Sequence, residues 1–209
     1  MQLMNFLILN SFMGNCNTTI TKEEYCSQIN NNIIPKKILS SFAKNENILT
    51  KYKINQKLLG RGGSGIVFLA KDENDNEYAI KSINKELISN YSQLITESEI
   101  SLKVVHPNII KLYDIYENDK TIFFVLECVK GGDLLQYLLN NSNNHLSNEE
   151  SLLLIIQILE TSYYLINKVK VIHRDLKPDN YLIVNENGQI KIKLIDFGFA
   201  CYIPKDEKM

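Results

Sequence analysis

Side chains able to move protons and hold phosphate are densest in His173-Arg174-Asp175-Leu176-Lys177-Pro178-Asp179-Asn180, with Asp196-Phe197-Gly198 further on. Between them, Tyr181 to Val184 and Gln189 to Ile195 read as two short strands joined by an Asn185-Glu186-Asn187-Gly188 turn. Antiparallel return brings Asn180 and Asp196 close together. One carboxylate and one amide oxygen side by side suit magnesium, a hard cation that takes oxygen ligands and is shared with substrate phosphates. Asp175 is placed to accept a proton from an incoming hydroxyl, and Lys177 to offset charge on a phosphoryl group in transfer.

A second constellation is Gly60-Arg61-Gly62-Gly63-Ser64-Gly65-Ile66-Val67. By itself it fits a dinucleotide fingerprint, a phosphate-covering hairpin or a purely structural turn. A dinucleotide fingerprint runs from strand into helix, whereas Ile66-Val67-Phe68-Leu69-Ala70 continues as strand, so the glycines cap a β-hairpin. Lacking Cβ atoms, they let backbone amides approach a polyphosphate, with Val67 at the root against a flat base. On the next strand Ala79 and Lys81 share a face: a small residue leaving room for the base, then an ammonium aimed at phosphates. Lys81 needs a carboxylate partner. Glu97, on the inward stripe with Ile100 and Val104, is preferred to Glu99.

The elements that must position these groups follow from pattern and punctuation. Runs at Ile54 to Gly60, Ile66 to Lys71 and Glu77 to Ile83 predict a three-stranded meander, the last two joined across Asp72 to Asn76. A helix over Ser89 to Val105 stops before His106-Pro107, and strands at Leu112 to Glu117 and Thr121 to Glu127 complete a small sheet. Beyond Gly131-Gly132 the chain turns helical, at Asp133 to about Asn140 and again at about 149 to 168. Ser147-Asn148-Glu149-Glu150 is a capping box for the longer helix. That helix is apolar nearly all round through Leu152 to Leu159, so it needs neighbours on several faces.

Composition narrows the class. With 209 residues and 44% apolar content the chain can build a core. Its 23 basic against 24 acidic residues remove the positive field that a nucleic-acid binder carries, so no nucleic-acid partner is expected. Cys16, Cys26, Cys128 and Cys201 show no metal-ligand spacing, and such sparse usage suits a reducing compartment. The most apolar runs, Phe6 to Leu9 and Leu152 to Leu159, fall short of the ~20 residues that span a bilayer, so no transmembrane helix is expected.

Together, LGRGGSGIV, AIK, HPNIIKLY, VLECVKGGDL, VIHRDLKPDNYL and KLIDFGFA resemble a eukaryotic protein kinase of the serine/threonine type, in which a lysine follows the catalytic-loop aspartate by two as Lys177 follows Asp175. The resemblance covers about residues 52 to 204 and is greatest to the calcium- and calmodulin-regulated group. It implies an α+β, two-lobe fold with a complete small lobe, an antiparallel sheet plus one helix, and the first part of a helical large lobe. The implied domains are a flexible tail over 1–50 and an incomplete kinase domain over 51–209, ending in the activation segment without an APE motif.

The resemblance further implies that ATP lies under Leu59, Gly60, Arg61, Gly62, Gly63, Ser64, Gly65, Ile66 and Val67, with Ala79 against the base and Lys81, paired to Glu97, on the α- and β-phosphates. Leu126 falls at the gatekeeper position, and Glu127 and Val129 offer hinge backbone to adenine. Asp133 meets ribose or a basic substrate side chain, and Leu182 closes the base pocket from below. Asp175 is the catalytic base, assisted by Lys177 and Asn180, and Asn180 and Asp196 hold Mg2+. Arg174 answers a phosphate or acid in the activation loop. The implied substrate is a protein Ser/Thr hydroxyl; the alternative is a non-catalytic ATP-binding module or regulator. Ser101 departs from the family, which places an apolar residue there.

The N-terminus adds one conditional expectation. Met13-Gly14-Asn15-Cys16-Asn17-Thr18 fits a myristoylation pattern if translation begins at Met13, with Cys16 as a palmitoyl acceptor for the second anchor, similar to acylated calcium-dependent protein kinases. The expected location is cytoplasmic, with peripheral membrane attachment under that condition. A calcium sensor is expected only in a longer chain.

Overall fold

The computed structural model describes residues 37–39, 41–62, 65–140, 146–186 and 189–204. Gly14, Cys16, Gly63 and Ser64 lie outside the described residues. Strands β1 (Lys53–Gly62), β2 (Gly65–Lys71), β3 (Glu77–Asn84), β4 (Leu112–Glu117) and β5 (Thr121–Glu127) form a five-stranded antiparallel sheet in the order β1-β2-β3-β5-β4. The β2–β3 turn is shaped by Asp72, whose Oδ1 accepts from the Asn74 and Asn76 amides, both at 2.9 Å.

Period-two alternation divides this sheet into two apolar faces. Ile80 joins Ile48, Tyr52, Ala70, Tyr116 and Val125 on one side. Ile83 joins Leu112, Ile115, Ile122 and Phe124 on the other, where they meet Leu94 of helix α1 (Tyr91–Lys103). That helix is shorter at both ends than the expected Ser89 to Val105. Asn90 is its N-cap, with Oδ1 accepting from Gln93 N at 3.0 Å, and Val104 turns extended before Pro107.

The second lobe begins with α2 (Leu134–Asn140) and α3 (Asn148–Tyr164), which continues as a π turn over Leu165–Val169. The capping box forms as the sequence predicts: Glu150 N donates to Ser147 Oγ at 3.1 Å and Ser147 N to Glu150 Oε2 at 2.9 Å. Strands β6 (Val171–Ile172) and β9 (Cys201–Tyr202) pair with each other, and β7 (Tyr181–Glu186) with β8 (Gln189–Leu194). The core between α3 and the hairpin holds Leu154, Leu165, Tyr181, Ile183, Ile192 and Leu194.

Taken with its π turn, α3 runs 22 residues and contains an 18-residue stretch of mean hydropathy 1.3, so by length and composition alone it could cross a membrane, although its uninterrupted apolar run is short. Its polar contacts tie it to the hairpin instead. Gln157 Oε1 accepts from Asn108 Nδ2 at 2.8 Å and Ile192 N at 3.0 Å, while its Nε2 donates to Ile190 O at 3.1 Å. Leu152, Leu153, Ile155, Ile156 and Leu159 stand exposed among the described residues, whereas the all-round apolar pattern calls for neighbours on several faces.

The expected flexible tail over 1–50 is corrected at its end. Residues 37–50 include a fully buried Leu39, a buried Ile48 and a parallel bridge from Lys44 to Tyr116 of β4. Leu39, Ile48 and Phe42 supply apolar contacts at a spacing too irregular to register as helix or strand. The two lobes meet where Leu194 N donates to Asn108 O at 2.8 Å, Ile110 N to Leu194 O at 2.9 Å and Ile183 N to Gly132 O at 2.9 Å.

Candidate active site

Strand alternation points Lys81 to the α1 side of the sheet, and one helical face supplies its partner. Lys81 Nζ lies 2.9 Å from Glu97 Oε1, and each side chain is only 10% exposed. Burial disfavours the Lys81 charge, but the Glu97 and Asp196 carboxylates outweigh it and hold the ammonium above its usual pKa. Glu99 is not the partner. Burial pushes its carboxyl up, and the opposing charge near it is Lys103.

The loop before β7 positions Asp175. Asn180 Nδ2 donates to Asp175 O and to Asp175 Oδ2, both at 2.8 Å, and Lys177 Nζ sits 2.9 Å from the same Oδ2. The Lys177 and Asn180 hydrogen bonds hold the Asp175 carboxyl below the ordinary carboxylate range, so it is ionised at neutral pH. His173 anchors the loop: it is buried, receives Asp175 N at 3.3 Å on Nδ1, contacts Ile195 O through Nε2 at 3.3 Å and packs edge-on against Phe197. Burial lowers its pKa, favouring the neutral ring. Arg174 takes a positive φ of 66° and donates from Nε to Phe199 O at 2.6 Å, reaching the segment after Asp196-Phe197-Gly198.

Asp196 is delivered by β8. Tyr181 pairs with Leu194, and Ile195 N donates to Asn180 O at 2.9 Å, so the residue after Ile195 lies beside Asn180 as the hairpin argument requires. Asp196 has φ 62°, a left-handed conformation costly for a non-glycine, and its Oδ1 accepts Gly198 N at 3.0 Å. A Cβ on Gly198 would lie 3.0 Å from that oxygen and 3.6 Å from Glu97 Oε2, which brings Asp196 and the Lys81–Glu97 pair into one cluster. With the Asn180 nitrogen engaged by Asp175, its amide oxygen is the atom left to offer. An amide oxygen and a carboxylate form a hard-oxygen donor set that fits magnesium.

The residues implied for the base are brought together across the sheet. Val67 is opposite Lys81, and Ala79 is opposite Leu126. Gly62 pairs with Gly65 to close the flap, and a Cβ at Gly60 or Gly62 would meet nothing within 4 Å, leaving open space on the flap. Leu59, Arg61 and Ile66 lie along the same hairpin. The Glu127 carboxylate meets Lys193 at 2.9 Å and its amide donates to Lys111 O at 2.9 Å. Val129 follows in the connection to Gly131. Asp133 forms a bridge with Leu182, and its Oδ1 caps α2 by accepting Gln136 N at 2.8 Å, a structural use beside the ribose role implied by resemblance.

Two positions escaped the sequence reading. Gly131 was seen only as a breaker, yet a Cβ there would come within 2.0 Å of Ile183 O, so the hinge can lie against β7 only without one. Gln93 donates to Gly198 O, tying α1 to the glycine after Phe197. No spacing rule signals it. Ser101 is half-buried, while its neighbour Ile100 and Val104 share the core with Phe197.

Comparison with known proteins agrees with this geometry. The protein kinase domain family matches residues 52–209. Calcium-dependent protein kinase 5 of Plasmodium falciparum is 33% identical over 199 residues, covering 91% of this chain and 34% of the relative. Calcium-dependent protein kinase 4 of Plasmodium berghei is 33% identical over 199 residues, covering 92% and 36%. The human serine/threonine-protein kinase ULK1 is 35% identical over 163 residues, covering 73% and 15%. The chain thus spans about a third or less of the length of these relatives. With an ion-paired strand lysine, a lysine-bound loop aspartate, a hairpin that returns Asp196 toward Asn180 and a family match over residues 52–209, the chain belongs to the protein kinase family.

Proposed function

We propose that this chain transfers the γ-phosphoryl group of Mg-ATP to a Ser or Thr hydroxyl of a protein. The observation that carries this reading is the paired bond of Asn180 Nδ2 to Asp175, which orients the carboxylate and leaves the amide oxygen to serve with Asp196 at a metal. Lys81, fixed by Glu97, offers a localised positive charge to the α- and β-phosphates. Asp175, ionised and aimed by Asn180 and Lys177, accepts the proton of the incoming hydroxyl. Lys177, bonded to that same carboxylate, places a second positive charge where the transferring group passes. Bound Mg2+, held by Asn180 and Asp196, supplies neutralisation of phosphate charge.

The test is transfer of labelled phosphate from Mg-ATP to a Ser/Thr peptide library, with Asp175→Ala as control. Label on hydroxyl residues that vanishes in Asp175→Ala supports the proposal. Mg-ATP binding without transfer selects the second reading, an ATP-binding module or regulator, which the exposed Leu152 to Leu159 side of α3 favours.

The location proposed is the cytoplasm, with membrane attachment through myristate on Gly14 and palmitate on Cys16 where translation begins at Met13. Mass spectrometry of the native N-terminus decides it, an intact Met1 ending the proposal. Calcium regulation is proposed only through a sensor segment in a longer chain.

A further inference from the structure

The strap that precedes the sheet sits against α1 itself. Leu39 is fully buried in a cluster with Leu94 of α1, Ile83 of β3, Leu112 and Ile115 of β4, and Ile122 and Phe124 of β5. Ile38, Phe42 and Ala43 close over it, beside Ile95 of α1. This cluster borders both halves of the nucleotide-binding ion pair. Leu94 lies one helical turn before Glu97, and the ring of Phe124, across the sheet from Lys81, has the Lys81 ammonium 5.9 Å from its centroid.

A built receptor holds the strap. Ile38 N and Leu39 N donate to the two carboxylate oxygens of Glu117, at 2.5 and 2.8 Å. Lys85 Nζ reaches Glu117 Oε1 at 2.7 Å, with the side chains 0% and 1% exposed. A carboxylate this buried survives only with its oxygens satisfied, so Glu117 requires the strap as much as the strap requires Glu117. A second acidic residue of β4, Asp114, takes Lys44 at 2.6 Å and Lys51 at 3.2 Å and fixes the rest of the strap.

We propose that the strap is a positioning element for the Lys81–Glu97 pair: Leu39, seated on Glu117, wedges α1 into the orientation that presents Glu97 to Lys81. Leu39 is a positioning residue and touches no substrate. Occupancy of this seat therefore sets nucleotide affinity from outside the ATP pocket.

The experiment compares the 209-residue chain with Leu39→Ala, Leu39→Val and Leu39→Met, by amide hydrogen exchange and by Mg-ATP titration at a temperature where each variant is folded. In Leu39→Ala the amides of α1 from Ile95 to Ile100 are expected to exchange about tenfold faster or more, with β7 and β8 unchanged. Mg-ATP affinity is expected to fall several-fold, with Leu39→Val intermediate and Leu39→Met close to the parent. Unchanged α1 exchange overturns the proposal, as does acceleration spread equally over both lobes, which marks a merely structural residue. Should Leu39→Ala not fold, Leu39→Val decides on the same criteria. Absence of Mg-ATP binding by the parent defeats the nucleotide reading alone, and the exchange pattern then settles the strap.

Discussion

Lys81 Nζ and Glu97 Oε1, 2.9 Å apart and nine-tenths buried, tie the middle strand of the small sheet to helix α1. Removing one partner strands the other charge in a poorly hydrated site. Lys81→Met is therefore expected to destabilise the chain by roughly 3–5 kcal/mol, and Lys81→Met with Glu97→Leu to recover much of that loss. Neither variant should gain stability from Mg-ATP. Denaturant titrations with and without Mg-ATP measure both effects, and a double variant no more stable than the single one would refute the assignment.

The glycines divide by what surrounds them. Gly65 has φ +136° and a Cβ there would lie 2.5 Å from Ser82 O, whereas Gly60 and Gly62 face open space. Gly65→Ala and Gly131→Ala should each lose about 1–3 kcal/mol as backbone is pushed aside. Gly60→Ala should leave the thermal midpoint near that of the parent, because its added methyl group meets open space, and should weaken Mg-ATP binding if the flap covers the nucleotide as proposed. Equal thermal losses in all three variants would mean that the flap glycines serve folding alone.

Most of the site was legible because its residues lie on elements with strong local signals. The Ser147 box, the alternation through Ala79 and Lys81 and the Asn180-to-Asp196 hairpin each rest on a local rule, and each is found. What stayed hidden depends on contacts distant in sequence. Glu117 is separated from Ile38 by 79 positions, and nothing around either residue advertises the pairing. Gly131 likewise looks like any turn glycine until Ile183 is folded against it. The helix itself was legible at about 149 to 168, but the role of Gln157 inside its apolar run was not, because its bonds reach β8, more than 30 positions away.

Tyr181 carries a hydroxyl buried without a hydrogen-bond partner among the described residues, and burial pushes its phenol up to about 12. An unpaired buried hydroxyl costs about 1–3 kcal/mol. Tyr181→Phe should therefore raise stability by about 1 kcal/mol, the rest being lost to imperfect repacking. Tyr202→Phe is the comparison, since its hydroxyl accepts from Lys103 Nζ at 2.9 Å and its loss should be neutral or slightly destabilising. Thermal denaturation of both variants gives the answer; a less stable Tyr181→Phe would show that an internal water or another group satisfies the phenol.

Asp114 makes strap attachment sensitive to acid. Burial raises its pKa, but hydrogen bonds and charge from Lys44 and Lys51 outweigh that and leave the carboxyl below its ordinary value. A depressed folded-state pKa means that the unfolded chain binds the proton first on acidification. The stabilisation is therefore fully present above the unfolded value of about 3.9 and disappears as pH falls through the lower folded value. Asp114→Asn should accordingly lower the thermal midpoint by a constant amount from neutral pH down to about pH 5, with the gap to the parent closing only below about pH 4. The gap at neutral pH should also shrink in high salt, because Lys44 and Lys51 are about half exposed and their charges are screened. A gap that persists unchanged at pH 2 would place the contribution of Asp114 in its shape and hydrogen bonds instead of its charge.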